Sequence, residues 1–367
     1  MTNRVLKTRH MTELSEYRKK LLKEPVLRHL FFELTMNCNE HCKHCGSSCG
    51  DSSVPDILTT EEYFSILDQI RSDFGTTGFM LCITGGEPLL RRDFFEIMGY
   101  ADKLGFNWGM TTNGTLIDRE TAHKLREAGM KTVSISIDGT EPTHNEFRRT
   151  KDGYKRAMTG LQNLIDENAF KHIQVTTVIT HESISELDEL FDIFDNIDID
   201  SWRVINLEPI GRAKQYPELL LTPDDYRRLF SFIREKREAG YPLCYGCSHY
   251  LGTDLEAELR DWYFICNAGI YTASIMANGD IAACLDIERR PELIQGNIRH
   301  DRFKDVWLNK FEPFRDPKFR SCDMCDKCSD RDFCNGDSFH TWNFDEKRPE
   351  ICIKNLLELR GTSKNPI

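Results

Sequence analysis

Between Leu30 and about Gly211, short runs rich in β-branched and aromatic residues alternate with longer stretches whose apolar positions recur at helical spacing. The runs are Leu30 to Leu34, Phe79 to Thr84, Phe106 to Thr111, Thr132 to Ile137, Ile173 to Ile179 and Trp202 to Leu207. Helices are predicted between them at Thr60 to Arg71, Arg92 to Leu104, Asp118 to Ala128, Tyr154 to Glu167 and Ser185 to Phe194, with Thr59, Asp118 and Ser185 as N-caps. Right-handed crossovers between such βα units give an α/β fold with a parallel sheet whose strands all end at one edge. A further helix is expected near Pro223 to Ala239. From Tyr241 onward the chain turns loop-rich and cysteine-bearing, so a domain boundary is placed there, with 1–29 as an N-terminal extension and 359–367 as a tail.

The distinctive residues fall where the strands end, which is where α/β folds collect ligands. A cysteine-bearing loop follows the first run, and Gly85-Gly86-Glu87-Pro88 follows the second. Thr112-Asn113-Gly114 follows the third, Asp138-Gly139 closes the fourth, and Leu207-Glu208-Pro209-Ile210-Gly211 follows the sixth. Each alone reads as turn chemistry, but five loops converging on one face define a site.

Charge narrows the function. The chain of 367 residues carries 59 acidic and 48 basic side chains, a net charge of −11, and no basic stripe interleaved with aromatics, which argues against nucleic-acid binding. No apolar run approaches the roughly 20 residues that a membrane-spanning helix needs, and the opening residues 1–28 do not read as a signal peptide. The expected location is the cytoplasm, where the 14 cysteines stay reduced. Nine of them crowd into two windows: Cys38, Cys42, Cys45 and Cys49, then Cys322, Cys325, Cys328, Cys334 and Cys352. Clustered reduced thiols point to metal. Cys38-x3-Cys42-x2-Cys45 suits three corners of an iron–sulfur cubane, while four neighbouring cysteines also suit a closed zinc site. Cys82, inside an apolar strand pattern, reads as a packing thiol.

A Cys-x3-Cys-x2-Cys loop after the first strand, with Gly-Gly-Glu-Pro after the second, resembles the radical SAM superfamily over Leu30 to Gly211. The resemblance implies a partial (β/α)6 TIM-like barrel over 30–240. Cys38, Cys42 and Cys45 would hold a 4Fe-4S cluster whose open iron binds S-adenosylmethionine. Cys49 lies outside the motif and is expected to be a free or packing thiol. By the same resemblance Gly85, Gly86 and Glu87 meet the methionine amino group, while Asn113, Ser136, Asp138, Arg148 and Leu207 line the cofactor pocket. His44 stands where the family usually has Tyr or Phe, and its ring is expected to stack near the adenine.

The second half resembles the SPASM extension of that superfamily, placed at 241–358. Its signature is Cys266-x12-Gly279-x4-Cys284, followed by Cys325-x2-Cys328-x5-Cys334 and a final Cys352. The extension implies two auxiliary 4Fe-4S clusters, for three in all. Cys325, Cys328, Cys334 and Cys352 would hold the distal one, and Cys266 and Cys284 the proximal one. The chain departs from the pattern at Ser338, where a cysteine is usual, so Cys322 is expected to substitute, with Cys244 or Cys247 as a further ligand.

The implied chemistry is reductive cleavage of S-adenosylmethionine to a 5′-deoxyadenosyl radical, hydrogen abstraction from substrate, and electron uptake by the auxiliary clusters. The expected substrate is a precursor peptide modified by a thioether or carbon–carbon crosslink. Partners would include an electron donor such as flavodoxin or ferredoxin, and a separate leader-binding protein, since 1–29 is too short for a leader-binding domain. Alternatives are modification of a small molecule or tetrapyrrole side chain, and epimerisation with Cys244 or Cys247 as the catalytic thiol. A sulfatase-maturing role is disfavoured, because Leu285 follows Cys284 where an Asp is expected. The non-enzymatic alternative is a zinc-binding scaffold.

Overall fold

The computed structural model describes residues 3–50, 57–246 and 249–358, with side chains from residue 9 onward. A helix α1 (Asn3–Lys23) precedes a regular alternation of strand and helix: β1 (His29–Glu33), α2 (Thr60–Phe74), β2 (Met80–Thr84), α3 (Phe94–Leu104), β3 (Trp108–Thr112), α4 (Arg119–Glu127), β4 (Thr132–Ser136). The series continues through α5 (Glu141–Arg148), α6 (Gly153–Glu167), β5 (His172–Ile179), α7 (Leu187–Asp195), β6 (Ser201–Asn206), α8 (Pro223–Glu238) and β7 (Leu243–Tyr245). The chain then crosses, by way of α9 (Thr253–Leu259), to the opposite edge of the sheet and adds β8 (Thr272–Ile275), β9 (Asp280–Ala282) and β10 (Gly296–Asn297). These ten strands form one sheet in the order β10-β9-β8-β1-β2-β3-β4-β5-β6-β7, and a separate short pair, Trp342–Asn343 and Arg348–Pro349, follows.

The six strands expected from the sequence lie within two residues of their predicted ends and pair in parallel. The sheet continues on both sides of them: β7 adds in parallel to β6, and β8 in parallel to β1. These strands escaped the sequence pattern because each has four residues or fewer, too short to show periodicity.

Alternation in the strands separates two faces. Leu81, Trp108, Met110, Val133, Ile135, Val175, Trp202, Val204 and Leu243 are buried beneath the helices. Trp202 packs edge-on against Phe194 of α7 and Phe232 of α8, and its indole N–H donates to Thr177 Oγ1 at 2.9 Å, so no polar atom of the ring is left dry. The alternate positions, Cys82, Ser134, Gln174, Ser201, Arg203 and Cys244, are only half-buried and carry the polar groups of the inner face.

Of the predicted caps, Thr59 and Asp118 hold, with Asp118 accepting from the Thr121 N–H at 2.7 Å. Ser185 does not cap: residues Ser183–Glu186 form a tight turn, and α7 begins at Leu187 with no side-chain cap. The Ser183 hydroxyl instead accepts from the Thr180 N–H at 2.9 Å, which fixes the turn before the helix starts. No helix among the described residues is long and apolar enough to cross a membrane.

At α2 the cap reaches across the molecule. Thr59 Oγ1 accepts from the Glu62 N–H at 3.2 Å, Glu62 returns a bond to the Thr59 N–H at 2.7 Å, and Arg299 grips the same carboxylate. Thr59→Ala should therefore lower the unfolding free energy by about 1 kcal/mol; an unchanged urea midpoint and slope would show that the cap carries no weight.

Candidate active site and cysteine clusters

The cysteine loop leaves β1 at the C-terminal edge of the sheet and is held there from four directions. From β2, Gly85 and Gly86 run against its backbone: the Gly86 N–H donates to Thr35 O at 2.7 Å and the Glu87 N–H to Asn37 O at 2.8 Å. A Cβ on Gly86 would lie 2.1 Å from Asn37 O and 3.0 Å from Cys38 Cβ, so only glycine allows this approach. From β3, Asn113 Nδ2 donates to Asn39 Oδ1 at 2.9 Å, and Asn39 donates to Thr115 Oγ1 at 2.7 Å.

The third hold is electrostatic. The buried guanidinium of Arg148, at the end of α5, donates to Glu40 Oε2 at 2.9 Å and to Asp138 Oδ2 at 2.7 Å, and Asp138 Oδ1 accepts from the Val178 N–H at 2.8 Å. Burial alone would raise Asp138, but Arg148 and the neighbouring imidazoles outweigh it and keep the carboxyl below its ordinary range. The Lys43 N–H also docks on Phe147 O at 2.9 Å. The fourth hold comes from the loop after β6. Arg212, a residue the sequence did not single out, donates to Cys42 O and Cys49 O at 2.9 Å each, while its own N–H reaches Cys45 O at 3.1 Å. Gly211 (φ 54°) precedes it, where a Cβ would lie 2.3 Å from Cys45 O.

These contacts fix where each expected residue acts. Glu87 is completely buried, and its carboxylate accepts from Thr112 Oγ1 and the N–H groups of Asn113 and Leu89, so it locks β2 to β3. Burial raises it to about 7 against those bonds. Arg148 is engaged with both Asp138 and Glu40. Ser136 stands half-buried at the end of β4, and Leu207 packs with Phe147 and Val178. The His44 ring stacks on Phe147 (centroids 4.4 Å apart, planes 13° apart), and burial lowers its pKa to about 4, so it is a neutral aromatic surface in this site.

The described cysteines are all free thiols. In the first loop, burial raises Cys38 to about 11 and raises Cys42 further, whereas hydrogen bonding from Cys49 lowers Cys45 to about 6. Cys49 is buried, with its sulfur 3.7 Å from Gly85 O and 3.9 Å from Met36 Sδ. Cys325, Cys328, Cys334 and Cys352 line one cavity of about 30 Å3, together with Arg331 and Asp337. A second, smaller cavity is lined by Cys284 and Arg289, with the Cys266 thiol near enough to raise Cys284 further. The Cys322 thiol lies close enough to Cys325 to raise it beyond what burial does. Ser338 is buried and paired with Thr341 at 3.0 Å. Cys244 lies on β7, its thiol raised by burial, and Cys247 lies outside the described residues.

The donor sets fit iron–sulfur clusters. Three free thiols share one clamped loop, and four more surround a single cavity. Guanidinium groups back both sets: Arg212 behind the first loop, and Arg18 of α1 behind the second, donating to the Asp332 and Phe333 carbonyls just before Cys334. The loop after β6 is joined to the second thiol loop through His249, completely buried between Glu208 (2.7 Å) and Asp337 (3.0 Å). Burial opposes its charge, but the two carboxylates prevail and raise its pKa to about 10.

With this architecture in place, the chain's relatives follow. The Radical SAM superfamily profile matches residues 32–194, and the SPASM iron–sulfur cluster-binding domain profile matches 266–329. The chain is 31% identical over 313 residues to mycofactocin maturase MftC of Mycolicibacterium smegmatis, covering 84% of this chain and 76% of the relative. It is 28% identical over 331 residues to an AdoMet-dependent heme synthase of Oleidesulfovibrio alaskensis, covering 85% and 82%. Its fold is similar to that of anSMEcpe solved with bound AdoMet and the Cp18Cys peptide, with a TM-score of 0.71, 21% identity, and coverage of 90% and 94%. The chain belongs to the radical SAM superfamily and carries a SPASM domain. It is an enzyme of that class, with 4Fe-4S clusters and S-adenosylmethionine as cofactors.

Replacing Arg212 by Leu strands the Cys42 and Cys49 carbonyls in a buried setting. The expected loss is roughly 3 kcal/mol of unfolding free energy under reducing conditions; a loss below about 1 kcal/mol would mean the loop does not depend on this strap.

Proposed function

We propose that this enzyme matures a peptide by hydrogen abstraction. Cys38, Cys42 and Cys45 hold the cluster that binds S-adenosylmethionine, and Cys325, Cys328, Cys334 and Cys352 hold an auxiliary cluster. Cys266 and Cys284 serve a second auxiliary cluster, while Cys322, expected from the sequence to join them, stands against Cys325 of the first auxiliary cluster. When bound, the first cluster and S-adenosylmethionine supply a 5′-deoxyadenosyl radical. The chain's own residues position and enclose: Gly85 and Gly86 let backbone approach the cofactor, Asn113 and Ser136 edge its pocket, and Leu207 with Phe147 and Val178 keeps water out. Asp138 and Arg148 hold the loop in register.

The observation that carries this reading is the pairing of a three-thiol loop at the sheet's C-terminal edge with a separate four-thiol cavity. Likeness to the maturase MftC supports the peptide substrate. A tetrapyrrole substrate is the second reading, favoured by the likeness to AdoMet-dependent heme synthases.

Two measurements test it. After anaerobic reconstitution, Cys42→Ala should form no 5′-deoxyadenosine yet keep auxiliary-cluster absorption; continued formation would overturn the assignment of Cys42. Incubating the wild-type enzyme with any small peptide found encoded beside its gene should change that peptide's mass in step with 5′-deoxyadenosine formation. Turnover of an iron porphyrin, with the peptide unchanged, would select the second reading.

A further inference from the structure

The inner face of the sheet carries a row of polar side chains in strand register. Ser136 of β4 pairs with Thr176 of β5, Thr176 with Arg203 of β6, and Arg203 with Cys244 of β7. Ser134, Gln174 and Ser201 form the row beneath. Every other partner in these rows is neutral. The Ser134 and Thr176 hydroxyls bond each other at 2.8 Å, and Gln174 Nε2 donates to both, at 3.2 and 3.1 Å.

Arg203 is therefore a cation set among hydroxyls, an amide and a thiol. Among the described residues its one hydrogen bond is weak, from Nε to Thr176 Oγ1 at 3.3 Å, and no carboxylate lies within ion-pair distance of it. The neighbouring acid at this edge, Asp261, is already engaged by Arg237 at 2.5 Å. A guanidinium is a planar fork of N–H donors, and among the described residues only the Nε of this one finds an acceptor. The chain makes room for it: a Cβ on Gly246 would lie 2.3 Å from Arg203 Cδ. Along the strands, this row sits two residues, about 7 Å, below the level of Asp138 and the cysteine loop that Asp138 helps to hold.

Resting on the enzymatic reading above, we propose that Arg203 is the anchor for a carboxylate of the substrate. A carboxylate accepts two parallel N–H bonds from the guanidinium fork and neutralises the one unpaired charge of the row, while Ser136, Thr176 and Gln174 offer hydroxyl and amide contacts around it. Substrates bearing an exposed carboxylate thus enter the inner face oriented, with the carboxylate end against β5 and β6 and the remainder toward the cysteine loop. The same chemistry is present in a porphyrin propionate and in a peptide's C-terminal carboxylate.

The test uses the anaerobically reconstituted full chain and two matched pairs of probes: hemin with its dimethyl ester, and pentaalanine as free acid with its amide. Binding is read by absorbance titration for the first pair and by calorimetry for the second. At least one free acid should bind the wild-type protein and lose about tenfold or more in affinity in Arg203→Gln. Arg203→Lys, which keeps the charge without the fork, should lose less, and the ester or amide should be insensitive to either change. The pair that responds identifies the carboxylate's source. Equal iron content and thermal transition in variant and wild type exclude misfolding as the cause. If no free acid distinguishes wild type from Arg203→Gln, the anchor is wrong. Formation of 5′-deoxyadenosine by the wild-type enzyme without substrate reports the radical reading separately, so failure of the anchor and failure of that reading are told apart.

Discussion

The Arg148 guanidinium is the constraint on which the active edge of this protein depends. It sits in an almost dry pocket and is tolerable there only because Glu40 and Asp138 face it with their carboxylates. Those two residues come from different elements, one from the cysteine loop and one from the end of β4. The ion triad is therefore a cross-link as well as a charge balance. Removing one member of such a buried set costs about 3–5 kcal/mol, because the remaining charges stay in a medium that cannot solvate them. The cysteine loop has no regular secondary structure between Leu34 and Gly50, and this triad, the Asn39–Asn113 bridge and the Arg212 strap replace the rigidity that a helix or strand would have given it.

The same solution recurs at the second thiol set. Arg18 and Arg320 donate to main-chain carbonyls around Cys334 and Asp337, as Arg212 does around Cys42 and Cys49. Loops that present several thiolates to a metal centre carry negative charge and unpaired carbonyls together, and a guanidinium answers both with one side chain. His249, charged between Glu208 and Asp337, joins the two regions, so the barrel edge and the SPASM loop are set by one continuous polar network. The ten-stranded sheet adds to this continuity, since β8 pairs directly with the strand that launches the cysteine loop.

How far the sequence was legible follows from range. The six central strands and the longer helices between them show a period over enough residues to be read, whereas α5, with 8 residues, went unread; the capping box at Thr59 is written in four consecutive positions. Strands of two to four residues are not legible, because pairing with a neighbour, and not their own pattern, makes them extended. The helix α1 lay within an unassigned extension, yet its Ser15 and Arg18 side chains reach the carbonyls of residues more than 300 positions away.

The sequence by itself determined where the thiols cluster and, through the family resemblance that its motifs carry, the class of chemistry: the Cys38, Cys42 and Cys45 spacing, the Gly85-Gly86-Glu87 segment and the C-terminal cysteine run are all local patterns. Only the tertiary structure decided what holds them. Glu87, read from the motif as a residue facing the cofactor, turns its carboxylate to Thr112 and Asn113, and Arg148 turns to Glu40 and Asp138. Arg212, Arg18, His249 and Arg203 carry no signature in their surroundings. A buried ion pair or an unpaired guanidinium is defined by partners that lie far along the chain, and only folding brings those partners, or their absence, into being.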